Sequence, residues 1–239
     1  MSNLKQQDRA VIEAVARRFS AAYEKFDDSA DACVTVAGKR IAVDVAALKS
    51  RASGRADGTP PRLRFDKVVV RLMEHLQIAL GKSVPEGAIV LLTVTAPIRL
   101  ASKTAAALEA KIHTLLRRGS PRRDVKETIF GNRVRIRFLR DQSGLSPKLI
   151  GFVHNSGSNP SQLLDMACEF LALVSDEAGG KAKSFASKRP GGRWLVVTTA
   201  REISCLQAYR SIYSQLNLPA GYKKVLMMFC DGRIGVLNK

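Results

Sequence analysis

Residues 88–96 read AIVLLTVTA, a run with no charged side chain and five β-branched ones. A run of that length and composition is a strand covered on both faces, because a strand with one wet face alternates polar and apolar positions. KLIGFVH (148–154) and RWLVVTT (193–199) are of the same kind. Strands buried on both sides need helices to cover them, and the chain supplies amphipathic stretches between them. Residues 7–24 place Val11, Val15, Phe19 and Ala22 on one helical face. Phe65, Val68, Val69, Leu72, Leu76 and Ala79 mark a second helix that ends near Gly81. A third is expected over 103–118 with Ser102 as N-cap, a fourth over 161–174 and a fifth over 203–216. Asn159 or Ser158 caps the fourth, with Pro160 at its first position.

Three β-hairpins complete the pattern: 32–46 turned at Gly38-Lys39, 127–140 turned at Gly131-Asn132, and 223–237 turned around Asp231-Gly232. The expected fold is α/β, a mixed sheet with helices on both faces. The 239 residues suit one domain, with possible lobes 1–118 and 148–239 joined by the basic hairpin region 119–147. Segments 50–63 and 178–193, rich in Gly, Pro, Lys and Arg, read as loops.

Charge narrows the function classes. Lys and Arg number 39 against 21 Asp and Glu, a net charge of +18. A surplus of this size repels itself and selects polyanionic partners, of which nucleic acid is the commonest in a cytosol. No apolar run reaches the ~18–20 residues of a membrane span, and the N-terminus lacks the apolar core of a secretory signal. Cys33, Cys168, Cys205 and Cys230 are widely spaced and form no CxxC pair, as suits reduced thiols in a cytoplasmic protein.

The positive charge is densest over 117–140. Arg133, Arg135 and Arg137 alternate with Val134, Ile136 and Phe138, which puts three guanidiniums on one strand face. Same-face neighbours lie ~6.6–6.8 Å apart, close to the phosphate spacing of an extended nucleic-acid strand. Arg122 and Arg123 precede this strand, and Lys188 and Arg189 lie in the second basic loop. These seven residues are the candidate nucleic-acid contacts. Aromatic residues are only 6% of the chain, and most fall at apolar-periodic positions. Tyr209, Tyr213, Tyr222 and Trp194 are the exceptions, so the expected binding is led by the phosphate backbone with little base readout.

The acids are few and unevenly placed. Glu13 lies on the first helix, Asp31 just before the first hairpin strand, and Asp44 near the end of the second. Antiparallel pairing brings the start of one strand beside the end of the other, so Asp31 and Asp44 converge. Paired carboxylates of this kind hold Mg²⁺ for phosphodiester hydrolysis, or else cap turns and pair with Arg40 or Arg17.

A helix with a Glu, an Asp before a strand, a hairpin ending apolar–acid–apolar, then a helix and a buried strand: over residues 7–118 this resembles the restriction-endonuclease-like nuclease superfamily. The resemblance implies a core of that type with a C-terminal α/β extension. Its Pro-Asp motif falls on Ser29-Ala30-Asp31, without the proline, and its second acid falls on Asp44. It implies Asp31 and Asp44 as Mg²⁺ ligands, Glu13 as the supporting helix acid and a lysine that stabilises the developing charge. Ala46 stands at the usual lysine position, which leaves Lys67, or less favourably Lys49, for that role. The expected function is nucleic-acid binding, DNA ahead of RNA, by a Mg²⁺-dependent nuclease or a catalytically degenerate relative. The alternatives are a non-catalytic adaptor that holds nucleic acid or an acidic protein on its arginine-rich surface, and a small-molecule α/β enzyme working at the ends of the 88–96 and 193–199 strands.

Overall fold

A computed structural model describes residues 6–25, 31–48, 61–117, 124–140, 148–180, 192–216 and 222–238. Among these the chain is mixed α/β, with two mixed sheets and five α-helices. No helix among the described residues is long and apolar enough to cross a membrane. The chain divides into two compact units, and the division does not follow chain order. Unit 1 comprises 1–52, 172–214 and 218–239, and unit 2 comprises 53–171 with 215–217. The expected lobes 1–118 and 148–239 are therefore not the units that form. Hydrophobic periodicity identifies strands but not their partners, and here the pairing joins strands about 150 residues apart.

Unit 1 carries helix α1 (Gln6–Arg18) and strands β1 (Ala22–Lys25), β2 (Ala32–Val36), β3 (Lys39–Ala47), β8 (Arg193–Thr198), β9 (Lys224–Met228) and β10 (Ile234–Val236). They form one sheet in the order β1-β2-β3-β8-β9-β10. β1, β2 and β3 are antiparallel neighbours, β8 lies parallel to β3, and β9 lies parallel to β8. Val34, Val43, Val45, Trp194, Val196 and Leu226 face α1, where Val11, Ile12 and Val15 complete the core. The opposite face receives helix α5 (Leu206–Ser214): Leu206 sits against Gly235, which pairs with Met227 on that side.

One local expectation changes in this unit. The first helix ends at Arg18 instead of residue 24, because residues 22–25 leave it to pair as β1 along β2. The strand beside β3 is β8, which lies parallel to it and comes from about 150 residues further along the chain.

Unit 2 holds helices α2 (Lys67–Gly81), α3 (Ala101–Arg117) and the first half of α4 (Pro160–Gly180). Its sheet runs β5 (Asp124–Ile129), β6 (Asn132–Arg140), β4 (Ala88–Ala96), β7 (Leu149–Asn155). Leu72, Leu76, Leu80, Leu108 and Ile112 pack on the face bearing Val90, Leu92, Val94, Val134 and Ile136. Asp66 caps α2 by accepting from the Val69 N–H at 3.2 Å. α3 begins at Ala101, so Ser102 lies inside the helix and is not its cap. Asn159 does cap α4, accepting from the Ser161 N–H at 2.9 Å with Pro160 at the first position. The outer edge of β7 is covered by residues 62–64, bridged at Leu63 and His154.

Candidate functional site

The acidic cluster lies in unit 1, and the hairpin does bring Asp31 and Asp44 to one end of β2 and β3. Asp31 Oδ2 accepts the Val45 N–H at 2.7 Å. Asp44 is buried at 8% exposure, and its carboxylate is bound on both oxygens by one guanidinium: Arg193 Nε donates to Oδ2 at 2.7 Å and Nη2 to Oδ1 at 3.0 Å. The Tyr222 hydroxyl adds a third bond, to Oδ2 at 3.0 Å. Burial opposes the charged guanidinium, but Asp44, with Tyr222 and Asp31 beyond it, raises the Arg193 pKa above its ordinary value.

A restriction-endonuclease-like centre implies Mg²⁺ between these acids, and the donor set does not fit one. Both oxygens of Asp44 are engaged by a cation the chain itself supplies, one oxygen of Asp31 is engaged by backbone, and position 46 is Ala. Among the described residues no group of three or more His, Cys, Asp or Glu is placed to hold a metal.

Glu13, expected to support that site, is not brought to it. Glu13 lies on α1, which packs on the Val43/Val45 face, whereas strand alternation points Asp44 to the opposite face. Glu13 binds Arg9 Nε at 3.0 Å and the Tyr23 hydroxyl at 2.9 Å. Tyr23 first, then Arg9, hold its pKa below the usual carboxylate range. Lys67 opens α2 and belongs to unit 2. Lys49 lies outside the described residues, as do Arg122, Arg123, Lys188 and Arg189. No local sequence signal marks Arg193 or Tyr222 as partners of Asp44, from which they are separated by 149 and 178 residues.

The arginine-striped strand, β6, keeps its alternation: Val134 and Ile136 enter the core, and Arg133, Arg135 and Arg137 share the other face. That face is not the open stripe the sequence suggests, because α4 lies over part of it. Arg135 forks onto Asp124 (2.7 and 2.6 Å) and donates to the Ser161 hydroxyl. Arg137 reaches Asp124 at 3.1 Å, Asp165 at 2.9 Å and the Cys168 sulfur at 3.7 Å. Burial works against the charge on Asp124, but the two guanidiniums outweigh it and lower the pKa. Two of the three arginines thus anchor a helix to the sheet. Arg133 stays exposed, with no acidic partner among the described residues.

Where α4 begins, the same sheet face opens into a cleft of about 610 Å³. Its walls include Lys126, Arg133 and Arg135 from the hairpin, Thr93 and Thr95 from β4, and His154 from β7. Ser156, Ser158, Asn159 and Ser161, at the β7–α4 junction, close the end. The cleft lies at the C-terminal ends of the parallel pair β4 and β7, with the N–H end of a long helix at its rim. His154 is 2% exposed, and its Nδ1 lies 2.9 Å from the Asn155 carbonyl. Burial lowers its pKa, the Asn155 bond opposes that, and the nearby Arg133 charge lowers it further, so the imidazole is neutral at pH 7. Lys126 and Arg133 face this cleft as the cations without acidic partners among the described residues. Chemically the arrangement can hold an anion: it offers two such positive charges, several hydroxyl donors and a neutral imidazole, and the Glu127 carboxylate, also in its lining, is paired with Lys111 at 2.7 Å.

Comparisons of the chain with protein-family models, with curated proteins and with solved structures find no match.

Proposed function

We propose that this protein binds nucleic acid through its sugar–phosphate backbone and does not hydrolyse it. The observation that carries the reading is the cleft of unit 2, where Lys126 and Arg133 stand beside Thr93, Thr95, Ser156 and Ser161. Cations and hydroxyls are the groups that hold phosphate and sugar oxygens, and they carry no sequence information. The net charge of +18 supplies the long-range attraction. In unit 1, the order α1-β1-β2-β3 with a strand parallel to β3 supports kinship with the restriction-endonuclease-like scaffold. The Arg193–Asp44 pair supports a degenerate member of it, because a guanidinium sits on the carboxylate that a metal would need.

The test is a salt-titrated binding measurement on single- and double-stranded DNA and RNA, with and without Mg²⁺. Binding is expected to weaken steeply with salt, and log Kd plotted against log salt is expected to lose about two units of slope in the Lys126→Ala/Arg133→Ala variant. No Mg²⁺-dependent cleavage is expected, and Asp44→Asn leaves affinity within about twofold. Binding that ignores salt would remove the nucleic-acid reading, and cleavage abolished at Asp44 would restore the nuclease.

A further inference from the structure

The turn that joins β5 to β6 carries an exposed phenylalanine in an unfavourable backbone conformation. Phe130 has φ +48° and Gly131 φ +78°. Two successive positive φ values make the turn type that Asn-Gly or Gly-Gly ordinarily fills, and a bulky residue is strained there. Phe130 gains no burial in return: it is 49% exposed. The loop between β4 and α3 also carries an exposed apolar residue at positive φ, Leu100, with φ +47° and 58% exposure.

These two loops are held rigidly to each other by Asn132, which is 1% exposed. Its Oδ1 accepts the Arg99 N–H at 2.7 Å, and its Nδ2 donates to the Arg99 carbonyl at 3.0 Å, the Thr104 hydroxyl at 2.9 Å and the Ile129 carbonyl at 3.0 Å. The Arg99 side chain lies along the turn, with Nη1 3.1 Å from where a Cβ on Gly131 would stand. Arg99 has no acidic partner among the described residues, and Arg133, two residues beyond the turn, faces the cleft.

Strain on an exposed, firmly buttressed aromatic residue is retained where the ring has work to do. An exposed ring adjoining the turn glycine along which the Arg99 guanidinium lies, on the hairpin whose Arg133 lines the cleft, fits an unpaired base whose backbone those cations hold. A duplex would present its bases already stacked. We propose that Phe130 is a stacking platform and that the ligand of this cleft is single-stranded nucleic acid, DNA or RNA. This rests on the nucleic-acid reading above and supplies its substrate class.

The experiment uses the full chain and three proteins: wild type, Phe130→Ala and Phe130→Trp. Each is titrated with oligo-dT, oligo-rU, the corresponding duplexes and polyglutamate at several salt concentrations. Wild type is expected to prefer the single strands. Phe130→Ala weakens single-strand binding about tenfold, with the salt slope unchanged because no charge is lost. Phe130→Trp keeps wild-type affinity, and its new indole is quenched on binding, while Trp194, at 2% exposure, serves as a constant background. Phe130→Ala binding single strands as tightly as wild type, no quenching at saturation, equal affinity for duplex, or the same quenching by polyglutamate would each overturn the proposal. If wild type binds no nucleic acid in a salt-dependent way, it is the underlying reading that fails.

Discussion

Asp44 and Arg193 show how one contact decides between two chemistries. A carboxylate on a strand of a basic protein is a candidate metal ligand until a guanidinium is found on both its oxygens. Breaking such a pair from one side leaves a buried, uncompensated charge, which costs more than the pair contributes net. Arg193→Met is expected to destabilise unit 1 by about 3 kcal/mol, and the Asp44→Asn/Arg193→Met double variant by clearly less. Urea unfolding of the four proteins of that cycle measures it, and additive losses would mean the pair is not coupled. Residue identity alone made Asp31 and Asp44 visible as a convergent pair. The neutralisation of Asp44 was not visible, since its partner is contributed by β8, which only sheet formation places two residues diagonally from Asp44.

At the scale of elements, period-two and period-3.6 patterning located most strands and helices, because each buries a face whatever it packs against. The errors fall where pairing overrides local preference. Residues 22–25 continue a helical pattern yet form β1, since the edge of β2 offers them backbone partners. The arginines of β6 alternate as read, but α4 brings Asp165 and Ser161 down on two of them. The aromatic residues invert: Tyr209 and Trp194, which stood out from the sequence as off-pattern, are buried, and Phe130 at a hairpin tip is exposed, as are Phe65 and Tyr23. Asn132 ties that tip to the start of α3. Asn132→Ala is expected to cost about 2 kcal/mol, since it strips several backbone groups of their partner at once. A thermal or urea midpoint within error of wild type would show that the clamp is dispensable.

At the scale of the whole molecule, the dominant quantity is the charge. A net +18 strains the folded chain by self-repulsion, which salt screens and bound polyanions relieve. The thermal midpoint is expected to rise by a few degrees between about 20 and about 200 mM NaCl. Unfolding followed by circular dichroism across that range checks it, and a falling midpoint would mean that ion pairs such as Asp124 with Arg135 and Arg137 outweigh the repulsion. A lesser effect of pH belongs here as well. The His154 pKa is depressed in the fold, so the stability of its neutral form is complete above the ordinary histidine value and is lost as pH falls from there toward the folded value.

The amino-acid sequence by itself determined the class of the fold, the position of most elements and the basic character of the chain, because these depend on local periodicity and on summed charge. Only the tertiary structure decided how the chain divides, which strands lie side by side, and which charges are spent inside the protein. Arg135, Arg137 and Arg193 are indistinguishable by type from Arg99 and Arg133. What separates them is whether folding delivers a carboxylate to each guanidinium, and that is a property of contacts between residues far apart in the chain.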